Sequence, residues 1–351
     1  MTALISSPGV GERRLLLPTS ALAPAEPPAV ADDDWVLHRL SGQAMGTDWK
    51  ISAYAPRALR YDSLRRSIDA ALSDCIQRFS NWTPDSEIGR FNAAGAGPWS
   101  FSPDTLALIA CSLDLARETE GAVDPALGAL IETWGFGPGG PRDLLACGLP
   151  SRNEIDAALQ RSGWRRLSLQ EETGTICKPE GLMLDVCGIA KGWAVDRVSD
   201  QLRQLGATAH LVDIGGELKA RGLKPDLQPW WVALEDIPDL SATAPPLRLA
   251  LVEGAVATSG DYRRQFSWQG RRYAHTLDGR TGQPTTHGVA SVSVLHPQAM
   301  MADAYATAIM VLGVERGMDL AERLCLPVRM LRREGEWQHE QLSSAMAAML
   351  H

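Results

Sequence analysis

The stretch from Leu182 to Gly192 is the first place where residue types and spacing suggest chemistry. An apolar run ends at Asp185, small residues follow, and Lys191 stands where helical periodicity begins, which predicts a strand, a tight turn and a helix. The start of a helix offers backbone amides and a positive dipole end, and both favour an anion such as a phosphate. Many such turns carry an Asp and a Lys for purely structural reasons, so that alternative stays open.

Asp303 and Thr307 form a second candidate, because a spacing of four residues puts both on one face of a predicted helix. A carboxylate and a hydroxyl are hard oxygen donors of the kind that Mg²⁺ accepts while keeping several waters. Helix capping or a solvated face is the structural alternative. The neighbouring residues are small and apolar, which predicts a buried helix, and a buried carboxylate needs a partner such as a cation.

Two further candidates lie between residues 258 and 282. His275 precedes a glycine-rich turn, and histidine suits proton transfer near neutral pH, although a single histidine on a strand is often structural. The run Thr258-Ser259-Gly260-Asp261 could place hydroxyls and amides around phosphate oxygens, or it could form a plain Asx or Ser turn. Ser259 lacks the flanking residues of a GxSxG nucleophile elbow.

Composition excludes several classes of protein. The chain has 351 residues, is 45% hydrophobic and carries a formal net charge of −8 without a basic block, which argues against nucleic-acid binding. No apolar run reaches about 18 residues, so no transmembrane segment is expected. The six cysteines form no CxxC pair, which argues against a zinc ribbon and fits a reducing compartment. Neither a P-loop nor a GxGxxG fingerprint is present.

Residues 1–34 are rich in Pro, Ala and Ser and predict a disordered leader, followed by one domain over residues 35–351. The pair Arg13-Arg14 precedes only a short apolar run that Pro18 interrupts, which is too short for a secretory signal. We therefore expect a cytoplasmic protein. A periplasmic location through a degenerate twin-arginine leader is the alternative.

The elements that must position these residues predict one compact α+β unit. Helical periodicity covers residues 64–79, 106–119, 154–159, 192–205, 302–312 and 315–325. Strands are predicted at 37–40, 49–54, 166–169, 175–177, 182–185, 209–214, 230–234, 247–252, 265–268, 272–276, 289–295 and 327–332. Residues 230–234 and 247–252 are assigned to the same sheet as 209–214.

Together and in this order, these segments resemble the ApbE family, the Mg²⁺-dependent FAD:protein FMN transferases. The likeness covers about residues 38–351. It rests on residues 44–47 (Ala-Met-Gly-Thr), 80–92, 121–125 (Gly-Ala-Val-Asp-Pro), 134–136, 184–192, 213–217 (Asp-Ile-Gly-Gly-Glu), 258–262, 275–282 and 302–308. The resemblance implies a single T-fold-like α+β domain with mixed and antiparallel sheets packed against helices.

The resemblance also assigns roles to individual residues. The implied contacts with FAD are Met45, Trp82, Ala122, Val123, Asp124, Asp185, Lys191 and Thr276. The implied Mg²⁺ ligands are the Gly188 carbonyl, Asp303 and Thr307. Trp82 stands where the family often has Tyr, Val123 where it often has Phe, and Asp278-Gly279 where Asp-Pro is usual. The leader lacks the lipoprotein cysteine and signal of exported members.

The implied reaction is attack by a Thr or Ser hydroxyl of a client flavoprotein on the FMN-side phosphorus of FAD, with release of AMP. His275 is the candidate acceptor of the hydroxyl proton, with Asp261 and Asp278 as substitutes, and Lys191 adds positive charge near the phosphates. Two other functions remain open: a metal-dependent FAD pyrophosphatase and a flavin carrier without turnover. Either a monomer or a homodimer is expected.

Overall fold

The computed structural model describes residues 11–16, 29–32, 34–170, 174–238, 240–242, 244–262 and 265–351. The α-helices within these ranges are α1 (Tyr61–Phe79), α2 (Glu87–Ala93), α3 (Pro103–Glu118), α4 (Gly128–Trp134), α5 (Leu144–Cys147), α6 (Arg152–Arg161), α7 (Cys187–Gln204), α8 (Ala299–Leu312), α9 (Val314–Arg323) and α10 (Ser344–Ala347). A 3₁₀ turn covers Trp164–Arg166.

The strands are β1 (Arg13–Leu16), β2 (Val36–Ala44), β3 (Thr47–Ala55), β4 (Gly97–Ser100), β5 (Ser168–Gln170), β6 (Thr175–Lys178), β7 (Ala209–Ile214), β8 (Glu217–Arg221), β9 (Trp230–Leu234), β10 (Ser241–Ala242), β11 (Leu247–Leu251), β12 (Gly254–Gly260), β13 (Gln265–Trp268), β14 (Arg271–Ala274), β15 (Leu277–Asp278), β16 (Gln283–Pro284), β17 (Val289–His296), β18 (Val328–Glu334) and β19 (Trp337–Leu342). The α+β class predicted from the sequence is confirmed. No described helix is both long and apolar enough to cross a membrane.

The chain divides into two compact units, each built from separate segments. Unit 1 comprises Met1–Ser73, Lys191–Gly260 and Gly288–His351, and unit 2 comprises Asp74–Ala190 and Asp261–His287. Two of the four boundaries fall inside α1 and α7, and the other two lie directly after β12 and just before β17.

Unit 1 is built on a nine-stranded sheet with the order β10-β19-β18-β17-β12-β8-β7-β3-β2. Its neighbours are antiparallel except for the β10–β19 edge pair, so the sheet is mixed. All six residues of β7 are buried, as expected for a central strand covered on both faces. Helix α8, which carries the predicted metal ligands Asp303 and Thr307, packs against β12 and β17 of this sheet.

A second, three-stranded sheet of unit 1 has the order β1-β11-β9. It contributes Leu15, Trp230, Val232 and Leu249 to a core that also holds Leu211 and Leu295 from the large sheet. The prediction that residues 230–234 and 247–252 belong to the same sheet as 209–214 is therefore wrong. These strands pair with each other, and the core fills with the apolar side chains of both sheets.

The leader prediction is wrong for part of its length. Arg13–Leu16 form β1, which pairs in parallel with β11, and Leu15 is fully buried. Val30 makes an isolated bridge with Leu223. The buried leucine explains the order, since it removes apolar surface from water. The other leader residues lie mostly outside the described ranges.

Unit 2 has a small antiparallel sheet, β4-β6-β5, and two hairpins, β13-β14 and β15-β16. Helices α4 and α6 pack together around Leu130, Trp134 and Ile155, and Leu277 joins the same core. The indole of Trp134 donates a hydrogen bond of 2.9 Å to the Gly282 carbonyl, which ties the turn after β15 to this core.

The strand predicted at residues 182–185 is not formed, although the chain there is largely buried. A side chain takes the place of a neighbouring strand. The amide of Asn92 donates to the Leu184 carbonyl (2.9 Å) and accepts from the Leu184 N–H (2.7 Å). The Met183 carbonyl accepts from Gly128 N–H, and Asp185 N–H donates to the Pro125 carbonyl. Backbone polar groups are thus satisfied without a ladder.

Candidate functional site

The acidic cluster of unit 1 consists of Asp303 on α8, Glu217 at the start of β8, and Lys191 on α7. Asp303 and Glu217 are 3% and 1% exposed, and Lys191 forms an ion pair with Glu217. The Gly192 N–H donates to Asp303 Oδ2 at 3.0 Å. Burial raises the pKa of the Asp303 carboxyl, Glu217 raises it further, and Lys191 and the Gly192 amide lower it. Two buried carboxylates therefore share one lysine.

Hydroxyl groups continue this cluster along the same helix. Thr307 lies one turn after Asp303, and its Oγ1 is 3.3 Å from Ser259 Oγ on β12. The preceding residue of β12, Thr258, points to the opposite face of the sheet, where its Oγ1 is 2.8 Å from Ser293 Oγ on β17. The packing of α8 on β12 brings Ser259 and Thr307 together. These two residues belong to segments that are far apart in the sequence.

The residues around Asp303 fit a divalent cation. Glu217 Oε2 is buried and has no hydrogen-bond partner among the described residues, and a buried carboxylate oxygen in that position is costly unless positive charge compensates it. Asp303 and Thr307 supply hard oxygen donors on one helix face. No group of three or more His, Cys, Asp or Glu side chains with metal-binding geometry occurs within the described ranges. The predicted ligands are one backbone carbonyl, one carboxylate and one hydroxyl, so they do not form a group of that kind.

Met45 occupies a strained turn in unit 1. It joins β2 to β3 together with Gly46, and both residues have positive φ, 53° and 71°. A two-residue hairpin with both φ angles positive favours Asn-Gly, whereas methionine is disfavoured there. A costly residue in such a turn is consistent with a functional side chain.

Asp213 also belongs to unit 1, at the end of β7. Its carboxylate accepts from Gly216 N–H at 3.0 Å, and burial raises its pKa to about 6. The two glycines 215 and 216 both have positive φ, and a Cβ on Gly215 would meet Thr47 at 2.8 Å. The Asp-Ile-Gly-Gly-Glu run thus forms a tight turn that leads directly into Glu217.

Asp185, predicted to contact FAD, lies in unit 2 and is held by both of its oxygens. Oδ1 accepts from Cys187 N–H at 2.9 Å, at the start of α7, and Oδ2 accepts from the Asn81 amide at 2.6 Å. Both carboxylate oxygens are therefore engaged by the protein. Gly188 lies in the first turn of the same helix, and its role as a metal ligand stays a prediction.

Asp124 is held in the same way. Oδ1 accepts from Ala126 N–H at 2.8 Å and Oδ2 from Trp164 N–H at 3.0 Å, while burial raises its pKa to about 6. The side chains of Ala122 and Val123 are buried. Any FAD contact by these two residues would therefore fall largely to the backbone.

The remaining predicted residues of unit 2 lie in or beside turns. Trp82 is 46% exposed. His275 follows β14, with its ring 6.4 Å from that of Phe136 in an edge-on arrangement. The carbonyl of Thr276 accepts from Thr285 N–H at 3.0 Å. Their contacts with FAD stay predictions.

The two substitute acceptors differ in their surroundings. Asp261 is buried and lies 3.8 Å from Arg272. Asp278 accepts from both the Nε and the terminal nitrogen of Arg280, at 2.7 and 2.8 Å, and also from the Arg280 backbone N–H. Both oxygens of Asp278 are therefore occupied by the guanidinium of Arg280.

Sequence reasoning missed Glu217 and Asn81 as members of these clusters. In the sequence Glu217 stands only as the last residue of the Asp-Ile-Gly-Gly-Glu run, and its strand, Glu-Leu-Lys-Ala-Arg, gives no sign that this carboxylate is buried. Asn81 carried no recognisable signal, because only the structure shows that its amide reaches Asp185.

Known proteins share this arrangement of elements. Residues 45–330 match the family model described as the ApbE family. An FAD:protein FMN transferase of Vibrio cholerae is 36% identical over 313 residues, which are 89% of this chain and 92% of that protein. The Escherichia coli K12 protein of the same description is 32% identical over 317 residues, 88% of this chain and 89% of that protein.

Solved structures give the same result. The apo form of the Pseudomonas stutzeri flavinyl transferase ApbE superposes with a TM-score of 0.81 at 35% identity, covering 90% of this chain and 97% of that one. The flavin transferase ApbE from Vibrio cholerae also gives 0.81, at 34% identity, covering 90% and 99%.

Proposed function

The chain belongs to the ApbE family, and from this membership and the acidic cluster of unit 1 we propose that it is an FAD:protein FMN transferase. The observation that carries the proposal is the arrangement around Asp303. Two buried carboxylates share one lysine, and a hydroxyl donor lies one turn along the same helix. Such a site suits Mg²⁺, and phosphoryl transfer from FAD needs a cation near the phosphate oxygens.

In the proposed reaction a Thr or Ser hydroxyl of the client attacks the FMN-side phosphorus of FAD. The new bond joins the client oxygen to phosphorus, the pyrophosphate P–O bond breaks, and AMP leaves with the bridging oxygen. Asp303 and Thr307 would hold Mg²⁺, which when bound neutralises charge on the phosphate oxygens. FAD is a substrate here and is consumed.

The chain's own residues have three tasks. Lys191, oriented by Glu217, contributes positive charge for the phosphates. His275 receives the proton of the attacking hydroxyl. Asp261 and Asp278 are the substitute acceptors. Met45, Trp82 and Thr276, with Asp124, Asp185 and the backbone at 122–123, are proposed to contact FAD.

A cytoplasmic location stays a prediction with new support. The pair Arg13-Arg14 lies in β1, where Arg13 forms an ion pair of 2.5 Å with Glu340 and Leu15 is buried. This ion pair favours a structural role for Arg13 over a role in a twin-arginine signal. Fractionation of cells that express the full chain tests it, and a cleaved periplasmic form contradicts it.

The test of function uses the purified protein, FAD, Mg²⁺ and a client domain with a Thr acceptor. We expect a fluorescent flavin band at the client's position in a denaturing gel. The matched control is the same client with its acceptor Thr changed to Ala, which should stay dark. A dark band for both clients with AMP released indicates an FAD pyrophosphatase, and the absence of both products indicates a carrier.

A further inference from the structure

Helix α8, which carries Asp303 and Thr307, begins without a cap of its own. The residue before it, Gln298, makes no side-chain hydrogen bond to the first turn. The first amides of a helix have no partner inside it, and a helix that starts in a buried place needs an acceptor from elsewhere.

Asp196, in the middle of α7, supplies this acceptor. Its Oδ1 accepts from Ala299 N–H at 3.1 Å and its Oδ2 from Met300 N–H at 2.9 Å. Lys219 Nζ on β8 lies 2.5 Å from Oδ1, and its side chain is 7% exposed. A carboxylate at this end of a helix also interacts favourably with the helix dipole. One side chain thus caps α8 from a position 103 residues earlier.

A second point of attachment lies one turn earlier on α7. Gly192 precedes Asp196 by four residues and shares its helix face. Its N–H donates to Asp303 Oδ2, and a Cβ there would lie 2.3 Å from the Ala299 carbonyl oxygen and 2.6 Å from Met300 Cα. Asp303 itself follows Ala299 by four residues. Two consecutive turns of α7 therefore fix the first turn of α8 and the carboxylate that it carries.

We propose that Asp196 is a positioning residue for the Asp303 cation site. It binds the first turn of α8, and this fixes the helix in the position in which the Asp303 carboxylate accepts a hydrogen bond from the Gly192 N–H. This inference rests on the proposed function for the identity of the bound ion. Asp196 touches neither substrate nor metal in this account and acts through the backbone of α8. Residues that orient metal ligands in this indirect way typically change metal affinity or activity by about 10–100-fold when they are removed.

The chain offers a matched control one turn further along. Asp200 on α7 pairs with Arg221 on β8 at 2.9 Å, just as Asp196 pairs with Lys219 two residues earlier on that strand. Asp200 pairs with this arginine, and within the described part of the chain it makes no hydrogen bond or ion pair with α8. Asp200→Ala removes a comparable helix-to-strand ion pair and leaves the cap of α8 in place.

The experiment compares Asp196→Ala, Asp196→Asn and Asp200→Ala in the full chain. Mn²⁺ binding is titrated in the presence of FAD without a client, with free Mn²⁺ read by electron paramagnetic resonance. Amide hydrogen exchange is measured at Ala299 and Met300. We expect Asp196→Ala to weaken Mn²⁺ binding about 10–100-fold and to speed exchange at both amides. Asp196→Asn, which keeps one acceptor, should lose less, and Asp200→Ala should resemble wild type.

Several outcomes overturn the proposal: equal losses in the Asp196 and Asp200 variants, unchanged Mn²⁺ affinity in Asp196→Ala, or no Mn²⁺ binding by wild type. If Asp196→Ala does not fold, the comparison of Asp196→Asn with Asp200→Ala decides. The binding readout separates this proposal from the function proposed above. Normal Mn²⁺ binding without FMN transfer contradicts the transferase and leaves the role of Asp196 standing.

Discussion

The partly buried carboxylates of unit 2 and the fully buried ones of unit 1 are held differently. In unit 2, Asp124 and Asp185 each accept N–H bonds on both oxygens from their own surroundings, so they shape turns and a helix start. In unit 1, Asp303 and Glu217 share one lysine, and Glu217 Oε2 has no partner among the described residues. Carboxylates whose oxygens are satisfied need no cation, whereas an excess of buried negative charge indicates a place for one.

The largest expected effect separates these two kinds of carboxylate directly. Asp303→Asn keeps the size of the side chain and an acceptor for Gly192 N–H, but it removes the charge. We expect Mg²⁺-dependent AMP release to fall by at least about 100-fold, because electrostatic stabilisation of the transition state is lost.

The control is Asp278→Asn in unit 2, where Arg280 already holds the carboxylate. We expect a loss smaller than about tenfold in AMP release. Equal losses in the two variants would break the contrast between the units.

His210 is a further buried titratable group of unit 1, and both of its ring nitrogens have hydrogen-bond partners while the side chain is neutral. It is fully buried in unit 1, with Ser199 Oγ and the Ala207 carbonyl at 2.8 and 2.7 Å, and burial lowers its pKa to about 4. The unfolded chain binds this proton near pH 6.5 and the native chain near pH 4. The free energy of unfolding should therefore decrease as the pH falls from about 6.5 to about 4. The loss is about 3 kcal/mol, because one pKa unit corresponds to about 1.4 kcal/mol.

The measurement is urea unfolding of wild type and His210→Gln between pH 7 and pH 4. The difference in the free energy of unfolding between the two proteins separates the effect of His210 from that of Asp213. The raised pKa of Asp213 has the opposite effect, because a carboxyl group whose pKa is raised by folding makes the protein less stable as pH rises. A constant difference across this range would show that His210 keeps its ordinary pKa.

Gly192→Ala tests how closely α7 and α8 must approach in unit 1. The new Cβ would lie 2.3 Å from the Ala299 carbonyl oxygen, so the helices must separate, at a cost of about 1–3 kcal/mol in the free energy of unfolding. Gly95→Ala in unit 2 is the control, because nothing lies within 4 Å of a Cβ there. Urea denaturation of both variants is the measurement, and equal stabilities would refute the close approach.

The smallest effect concerns Met45, whose positive φ costs stability in the β2–β3 turn. Met45→Asn should raise the free energy of unfolding by about 0.5–1 kcal/mol, because asparagine suits this turn. It should also raise the KM for FAD if the methionine side chain contacts the substrate. Higher stability with an unchanged KM would remove Met45 from the FAD contacts.

The sequence predicted elements whose pattern is local. The apolar periodicity of α3 and α8 and the alternation of β3 and β17 place these elements within a few residues, and the four-residue spacing of Asp303 and Thr307 is a property of one helix. The strand predicted at 182–185 failed because its backbone partners are the Asn92 side chain and the Pro125 carbonyl. Nothing in the apolar sequence of this run indicates that the Asn92 side chain or the Pro125 carbonyl is its partner.

Long-range contacts explain the other misses. β1 is ordered because it pairs with β11, more than 230 residues later, and four residues in a Pro-rich leader do not reveal such a partner. Asp196 looks like an ordinary helix carboxylate until α8 is placed beside it. Glu217 likewise gains its meaning only from Lys191.

We expect that FAD is split by transfer of FMN and that the Asp303 site serves this step. This expectation is tested most directly by the ratio of AMP released to FMN bound covalently to the client, with the bound FMN counted by mass spectrometry. Equal amounts of the two products are expected with wild type, and both products should fall by at least about 100-fold with Asp303→Asn. AMP in large excess over client-bound FMN, or full transfer by Asp303→Asn, would contradict this expectation.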